Sequence, residues 1–196
     1  MKETLKCLVK AFIGESQARN RYTYYAKIAQ KEGYEQIAEI FLITADQEKI
    51  HAKRLFEHIQ ELKKELSESE QKEIIVENVS CSIIIGDTLE NLKAAAAGEH
   101  YEYSEMYPSF AKIAEEEGYK KIALRFKAIA VAEIHHEERY KKLMEQLKNG
   151  TFFKKSENVW WVCRECGYAF FGKSPPEICP SCDHPKAFYQ LKCEEY

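Results

Sequence analysis

The sequence predicts an all-α four-helix bundle with a long crossover between helices 2 and 3, followed by a small C-terminal β-rich metal domain. Three observations support this fold class. The first 150 residues are poor in proline and glycine, they contain an internal repeat, and two Cys-x-x-Cys pairs follow in a region of different character. We therefore divide the chain into residues 1–150 and 151–196.

The helices follow from composition and from the residues that end them. Ala, Glu, Lys, Leu and Ile dominate the first part, and all of them favour or tolerate helix. Gly33 and Gly118 are expected to terminate helices, and Asp87 to cap the start of the third. The residues between the two helix pairs, 66–86, are expected to form the crossover. The predicted helices lie near residues 2–31, 35–65, 88–117 and 119–148.

Helices 2 and 4 each carry a stripe of inward-facing residues. Successive members of a stripe are three, four or seven residues apart. In helix 2 the stripe is Ile37, Phe41, Thr44, Glu48, His51, Leu55 and Leu62. In helix 4 it is Ile122, Phe126, Ile129, Glu133, His136, Tyr140, Leu143 and Leu147. Each stripe contains a Glu-x-x-His pair, so these glutamates and histidines are expected to point into the core.

The second helix pair repeats the first at an offset of 85 residues, and Glu48 and His51 recur as Glu133 and His136. Near the helix starts the offset is 84, because Gly14-Glu15 matches Gly98-Glu99. One extra residue therefore lies between His100 and Met106. A single insertion in a helix is accommodated as a π-bulge, a feature frequent at functional sites, and Glu102 lies in that turn.

Charge and hydropathy exclude several function classes. The formal net charge of −3 gives no sign of a nucleic-acid partner. No uncharged stretch approaches the roughly 20 residues of a membrane-spanning helix, and the N-terminus lacks the apolar core of a signal peptide. We therefore expect a cytoplasmic protein without a membrane partner. In a reducing compartment, paired cysteines favour metal binding over disulfides.

Acidic and imidazole side chains occupy positions in the helices where leucine would be expected. Buried carboxylates without compensation would cost several kcal/mol or take up protons, so a convergent set requires positive charge. Two metal ions supply it, and oxygen-rich ligands with two imidazoles suit iron or manganese. The candidate ligands are Glu15, Glu48, His51, Glu99, Glu102, Glu133 and His136.

We assign roles to these ligands by repeat position. Glu48 and Glu133 would bridge the two metals, with Glu15 terminal on one and Glu99 on the other. The two histidines would complete the ligand sets, and Glu102 is surplus to the general pattern. Two tyrosines, Tyr22 and Tyr107, could bond a ligand carboxylate or donate a proton, or could simply fill the core. Three further histidines are placed at the surface or around the site: His58, His100 and His135.

The four-cysteine region predicts a second metal site. Cys163, Cys166, Cys179 and Cys182 form two Cys-x-x-Cys pairs, which together make a tetrahedral sulfur site for zinc or for a single redox-active iron. Aromatic residues around the pairs, such as Trp161 and Tyr189, favour iron modestly, because an apolar shell tunes a redox potential. The remaining cysteines, Cys7, Cys81 and Cys193, are expected to be thiols without a metal role.

Taken together, these motifs resemble the rubrerythrin family across essentially the full chain. The resemblance rests on Gly14-Glu15, the two Glu-x-x-His pairs, Gly98-Glu99-His100-Tyr101-Glu102, and the Cys-x-x-Cys-Gly and Cys-Pro-x-Cys pairs in that order. It implies a ferritin-like di-iron bundle with a rubredoxin-like tail. The family's ligands correspond to the seven bundle residues and four cysteines named above, giving two non-haem irons and one cysteine-bound iron, with zinc possible in recombinant protein.

The resemblance also implies an activity. Rubrerythrins reduce hydrogen peroxide to water in defence against oxidative stress, and one of their irons is described as shifting between a histidine and the surplus glutamate, here His51 and Glu102. Electrons would come from a reductase or a rubredoxin-type carrier through the tail, which in the family serves a neighbouring subunit of a head-to-tail dimer. We therefore expect a head-to-tail homodimer or a higher homo-oligomer. Tyr22, Tyr107 and Glu102 are then the candidate catalytic residues.

Three other functions fit part of the sequence. Ferritin-like iron oxidation and storage would use the bundle site but not the tail, and would require a cage. A dioxygen-reducing oxidase would use both sites. A non-catalytic protein would hold zinc in its tail.

Overall fold

The computed structural model describes residues 2–68 and 71–194. The helices are α1 Glu3–Lys31, α2 Glu35–Leu62, α3 Thr88–Tyr101, α4 Tyr107–Glu116 and α5 Lys120–Lys148. A 3₁₀ turn, Lys63–Glu65, extends α2, and a π-helical turn, Glu102–Met106, joins α3 to α4. Two predictions extend beyond this part of the chain. The predicted crossover includes residues 69–70, and the two predicted domains extend to residue 1 and to residue 196. Residues 69–70, 1 and 195–196 lie outside the part described.

The helix ends have the chemistry that the sequence predicts. Gly33 and Gly118 follow α1 and α4 with φ angles of 82° and 86°, a left-handed conformation that glycine adopts without strain. Asp87 caps α3 by accepting a hydrogen bond from the Glu90 backbone N–H at 2.7 Å, and the Glu90 carboxylate accepts one from the Asp87 backbone N–H in return. The Asp87 cap is thereby confirmed.

Two glutamates cap helices of the opposite hairpin. Glu32, at the end of α1, accepts a hydrogen bond from the Thr88 backbone N–H at the start of α3, at 2.9 Å. Glu117, its repeat equivalent, accepts from the backbone N–H groups of Glu3 and Thr4 at the start of α1, at 3.0 and 2.9 Å. Each carboxylate therefore satisfies donors that a helix start leaves unpaired, and it lies at the positive end of the helix dipole.

The π turn at Glu102–Met106 confirms the predicted π-bulge between His100 and Met106. The Tyr103 hydroxyl in this turn donates a hydrogen bond to Glu137 Oε2 on α5 at 3.0 Å, and it also lies 2.9 Å from His100 Nδ1. Pro108 follows at the start of α4, where the missing backbone donor is tolerated. The insertion is thus tied to α5 by a side chain of its own.

Two hydrophobic clusters form the core of the described part of the bundle, and a third lies in the C-terminal region. One bundle cluster includes Tyr25, Phe41 and Leu92, and the other Leu8, Leu55 and Phe126. The α1–α2 hairpin packs against the α3/α4–α5 hairpin, and the predicted stripes of α2 and α5 are largely buried between them. Among the described residues, no helix is both long enough and apolar enough to cross a membrane.

The C-terminal region forms a three-stranded antiparallel sheet. Its strands are β1 Val159–Cys163, β2 Ala169–Gly172 and β3 Tyr189–Leu191, in the order β2-β1-β3. Trp161 is buried on β1 and its indole N–H donates to the Gly172 carbonyl at 2.9 Å. The predicted boundary at 150/151 falls in the segment between α5 and β1 and stays a prediction.

The sheet region packs on the bundle of its own chain, at the α1–α2 turn. The ring of Tyr34 contacts those of Phe152 and Phe153, with centroids 5.4 and 6.0 Å apart. Arg164, between the first two cysteines, forms an ion pair with Glu39 on α2. The four-cysteine site is therefore held against the end of the bundle where α2 begins.

Candidate metal centres

Six side chains from four helices meet in the middle of the bundle. They form two groups whose potential ligand atoms lie within 4.8 Å of one another. The first group is Glu15, Glu48, His51 and Glu133, and the second is Glu48, Glu99, Glu133 and His136. Glu48 and Glu133 belong to both groups, which is the arrangement expected of residues that bridge two metal ions.

Both histidines face the carboxylates with Nδ1. His51 Nδ1 lies 2.9 Å from Glu48 Oε2 and 3.0 Å from Glu133 Oε1. His136 Nδ1 lies 2.7 Å from Glu133 Oε2 and 3.1 Å from Glu48 Oε1. The Glu-x-x-His spacing places each pair on one face of its helix, and each imidazole contacts a different oxygen of Glu48 and of Glu133.

The donor set fits two iron ions. Several buried polar atoms in this cluster have no hydrogen-bond partner among residues 2–68 and 71–194, although buried polar groups are normally paired. They are Glu15 Oε2, Glu48 Oε1, Glu99 Oε2, both carboxylate oxygens of Glu133, and His136 Nδ1. All belong to the two groups, and a pair of cations between them would satisfy the atoms and compensate the buried charge.

Protonation compensates the charge when metal is absent. Burial and the neighbouring Glu48 charge raise the pKa of Glu99 to about 8. Burial alone would lower the pKa of His136, but the nearby carboxylates of Glu133, Glu48 and Glu99 outweigh it and raise that pKa to about 11. Burial alone would raise the pKa of Glu48, but the two adjacent histidines lower it to about 2. Metal binding at neutral pH must therefore displace protons.

Tyr22 and Tyr107 each donate a hydrogen bond to a predicted terminal ligand on the opposite hairpin. The Tyr22 hydroxyl on α1 donates to Glu99 on α3, and the Tyr107 hydroxyl on α4 donates to Glu15 on α1. Both rings are buried. Burial, followed by the charges of Glu99 and Glu15 respectively, raises both phenol pKa values well above 10. Each hydroxyl therefore keeps its proton beside a carboxylate.

Glu102 is buried next to the site but belongs to neither four-residue group. Burial and the charge of Glu15 raise the pKa of its carboxyl well above the ordinary value. His51 occupies the first group instead. The structure therefore brings together six of the seven predicted bundle ligands and leaves Glu102 beside them.

The remaining histidines lie outside the two groups. His100 and His135 are exposed, as expected of surface residues. His58 is buried and its Nδ1 lies 2.9 Å from Glu61 Oε2, so it is neither a surface residue nor part of the site. A surface position for His58 is therefore wrong, because its side chain turns inward near the end of α2.

Gln47 contacts the site, although no motif singled it out. Its Oε1 accepts hydrogen bonds from His136 Nε2 and from the Arg139 guanidinium, both at 3.0 Å, and Arg139 also donates to Thr44. Two donors on one oxygen fix the orientation of the amide. A partner on the outer nitrogen orients a metal-binding imidazole. The only sequence signal was a break in the repeat, because residue 132 is alanine.

The four cysteines form a separate sulfur cluster. The Sγ atoms of Cys163 and Cys182 are 3.8 Å apart, and those of Cys166 and Cys179 are 3.7 Å apart. A tetrahedron with metal–sulfur bonds of about 2.3 Å has edges of about 3.8 Å, whereas a disulfide bond is about 2.05 Å long. The thiols are free, and their spacing fits a single tetrahedral metal such as iron.

Backbone N–H groups surround this cluster. Burial alone would raise the pKa of the Cys179 thiol, but hydrogen-bond donors that include the Ser181 and Cys182 backbone N–H groups lower it to about 6. Such donors favour thiolate, which is the form that binds metal. The other predicted thiols, Cys7, Cys81 and Cys193, lie outside the cluster.

Two family models match the chain. A model described as rubrerythrin matches residues 6–144, and one described as the rubredoxin-like domain of rubrerythrin matches residues 161–190. A putative rubrerythrin from Methanocaldococcus jannaschii is 60% identical over 196 residues, covering 100% of this chain and 96% of the relative. The rubrerythrin of Nitratidesulfovibrio vulgaris is 50% identical over 188 residues, covering 96% and 93%.

Solved structures show the same fold. A partially reduced nigerythrin is 32% identical, with a TM-score of 0.63 over 96% of this chain and 86% of that one. A bacterioferritin from Mycobacterium tuberculosis is 18% identical, with a TM-score of 0.64 over 76% of this chain and 90% of that one, and shows the ferritin-like fold alone.

Proposed function

The chain belongs to the rubrerythrin family, with a di-iron carboxylate and histidine site and a rubredoxin-like four-cysteine site, and from this premise we propose that it reduces hydrogen peroxide to water. The observation that carries the proposal is the presence of both sites in one chain. A two-metal site suits a two-electron reaction, and a four-sulfur iron site carries one electron at a time. A storage protein has no need of the second site.

The reaction balances as one hydrogen peroxide, two electrons and two protons giving two water molecules. When bound, the two bundle irons supply the two electrons, and the cysteine-bound iron restores them singly. The protein must therefore hold proton donors beside the metals and provide a route for electrons from outside. The proposed oxidoreductase would act in defence against peroxide, in a cytoplasm that keeps the cysteines reduced.

Tyr22 and Tyr107 are the proposed proton donors, together with Glu102. Each tyrosine holds its proton in a hydrogen bond to a ligand carboxylate, and burial keeps bulk water away from it. Burial also raises the pKa of the Glu102 carboxyl, so that it holds a proton more readily than an exposed carboxyl does. We propose in addition that Glu102 replaces His51 as a ligand when the oxidation state changes.

The four-cysteine domain is the proposed point of electron entry, from a reductase or a rubredoxin-type carrier. Cys166 is exposed, so the sulfur cluster is open to a partner protein. We propose that the chain works as a head-to-tail homodimer, in which the tail serves a neighbouring bundle. Exposed apolar residues on two helices, Ile43 and Ile50 on α2 and Val131 on α5, support a contact between chains.

The test starts from iron-loaded protein containing three irons per chain, reduced without oxygen and mixed with hydrogen peroxide. We expect one peroxide to be consumed for every two electrons, and turnover with peroxide to exceed turnover with dioxygen. Cys179→Ser provides the matched comparison. This variant is expected to react once with peroxide but to lose steady-state turnover with a protein donor, because only the return of electrons is interrupted.

Three results would contradict the proposal. Faster turnover with dioxygen than with peroxide would indicate an oxidase. Shell-sized particles that accumulate ferric iron would indicate storage. Absence of ferric-thiolate colour after expression with sufficient iron would indicate a zinc-containing tail without a redox role.

A further inference from the structure

A cleft lies between α1, the π turn and the crossover, with a volume of about 260 Å³. Gly14 on α1 and Gly98 on α3 line its two sides, and crossover residues around Val79 cover it. Glu102 lines the same cleft and has 9% of its surface exposed. Because Gly14 and Gly98 directly precede Glu15 and Glu99, the cleft extends from solvent to the edge of the metal cluster.

Gly14 and Gly98 are repeat equivalents, each one residue before a terminal ligand, Glu15 or Glu99. Neither has a positive φ angle. A Cβ atom added to either would meet no heavy atom within 4 Å. Glycine inside a helix destabilises it relative to alanine. Neither the backbone conformation nor close contacts therefore require glycine at these two positions. We connect the absence of a side chain there with the open space of the cleft.

The lining of the cleft suits a small polar molecule. Lys10, Gln17 and Arg21 lie on the same face of α1 as Gly14, and all are half-buried. A second depression lies beside His51 on α2, where Asp46 and Gln47 are polar and Ile43 and Ile50 are apolar, and it has fewer hydrogen-bonding side chains than the cleft. A hydrophilic peroxide is better accommodated by the cleft, which has hydrogen-bonding side chains and ends at a carboxyl.

We propose that this cleft is the route by which hydrogen peroxide reaches the metal pair, and that Gly14 and Gly98 set its width. The inference rests on the proposed peroxide reduction. It assigns the crossover a role in covering the route, and it makes the two glycines determinants of which peroxides enter. Hydrogen peroxide has two heavy atoms and passes between them, whereas tert-butyl hydroperoxide is wider.

The test fills the cleft without changing a ligand. In Gly14→Leu and Gly98→Leu, kcat/KM for hydrogen peroxide is expected to fall about tenfold or more, with a smaller change in kcat. Gly98→Ala is expected to lie between wild type and Gly98→Leu, and to discriminate more strongly against tert-butyl hydroperoxide. Ala97→Leu places the same side chain at an exposed neighbouring position and is the matched control, with kcat/KM unchanged.

A binding measurement separates this inference from the proposed activity. The rate at which azide binds to the oxidised, iron-loaded protein, followed in the visible spectrum, is expected to fall in the leucine variants and to stay unchanged in Ala97→Leu. This measurement does not require peroxide turnover, so it tests the cleft even if the wild type does not reduce peroxide. Cobalt(II) titration of the metal-free variants shows whether both bundle metal positions are intact.

Where a leucine variant fails to bind cobalt, Val79→Trp fills the cleft from the crossover and leaves the helices unchanged. Wild-type azide rates in every cobalt-binding cleft variant would overturn the inference. Slower azide binding in Ile50→Phe, at the depression beside His51, together with wild-type rates in the cleft variants, would place the route on α2 instead.

Discussion

Gln47 on α2 and Ala132 on α5 occupy the same position of the repeat, but only Gln47 accepts a hydrogen bond from a metal-site histidine. The Gln47 amide oxygen lies 3.0 Å from His136 Nε2. The equivalent nitrogen of His51 has no hydrogen-bond partner among residues 2–68 and 71–194, and the His51 side chain is 15% exposed against 2% for His136. The two metal positions are therefore unequal: one imidazole is anchored and the other is not.

Gln47→Ala is expected to weaken metal binding at the position held by His136 by roughly 10- to 100-fold, because partners on the outer nitrogen of a ligand histidine contribute about that much. Cobalt(II) titration of the metal-free protein measures the effect. Lys49→Ala, at an exposed position on the same helix, is the control. Unchanged affinity in Gln47→Ala would show that the hydrogen bond does not support the site.

Ala132→Gln is expected to restore the missing symmetry by giving His51 a partner. If His51 must leave its metal when the oxidation state changes, this variant should bind metal more tightly and reduce peroxide more slowly. Ala128→Gln, one turn earlier and exposed, controls for the added amide. Crystal structures of the oxidised and reduced variant would show His51 in the same place, and a histidine that still moved would contradict the expectation.

Glu102→Ala is expected to lower peroxide turnover by about a hundredfold, the usual contribution of a positioned proton donor. Metal content should change little, because neither four-residue group includes Glu102. Turnover and iron content are measured on the same preparation. Glu105→Ala, in the same π turn but exposed, should behave as wild type. Full activity in Glu102→Ala would remove the proposed role of the π turn.

The metal-free protein is expected to lose stability as the pH rises above about 5. The pKa of Glu99 is about 8 and that of His136 about 11, both above their unfolded values of 4.5 and 6.5. The folded chain therefore binds more protons than the unfolded one, and the free energy of unfolding falls with pH through these ranges. Glu48, with a pKa lowered to about 2, acts in the opposite direction below pH 4.5.

Urea unfolding between pH 5 and 9 measures this dependence. The cobalt-loaded protein is the control, because bound metal replaces the protons and should flatten the curve over the same range. A metal-free protein whose stability stayed constant or rose over that range would contradict the proton compensation inferred from the site.

Glu117→Ala is expected to destabilise the protein by about 0.5–2 kcal/mol, the range for loss of a helix cap. Its carboxylate accepts from two backbone N–H groups at the start of α1. Glu116→Ala is the control and removes a neighbouring exposed carboxylate. The 3.9 Å ion pair of Glu116 with Lys112 should contribute less than about 1 kcal/mol to the free energy of unfolding. Chemical unfolding distinguishes the two, and equal effects would show that Glu117 is not acting as a cap.

Local patterns were enough to predict the bundle and the convergence of its acidic side chains. The spacing within Glu48-x-x-His51 fixes which helix face both residues share, and the change of offset from 85 to 84 locates the π turn. Contacts between distant elements were not predictable in this way. The Gln47–His136 bond, the two interhelix caps and the burial of His58 depend on how helices are placed relative to one another, which side-chain periodicity does not specify.

The packing of the tail is another example. Arg164 and Glu39 are both ordinary charged residues in the sequence, and only the folded chain shows that they form an ion pair. Likewise, the cysteine spacing predicts a tetrahedral site but does not say which surface of the bundle it contacts.

The π turn lets equivalent residues of the two hairpins keep the same orientation toward the core. Each residue turns a regular helix by about 100°, so an insertion would rotate Tyr107 away from the core unless the turn absorbed it. The π turn absorbs it, and Tyr107 keeps the orientation that Tyr22 has seven residues after Glu15. Deleting Ser104 would thus return α3 and α4 to the register of α1 and remove the extra turn that carries Glu102, while the difference between His136 and His51 would remain.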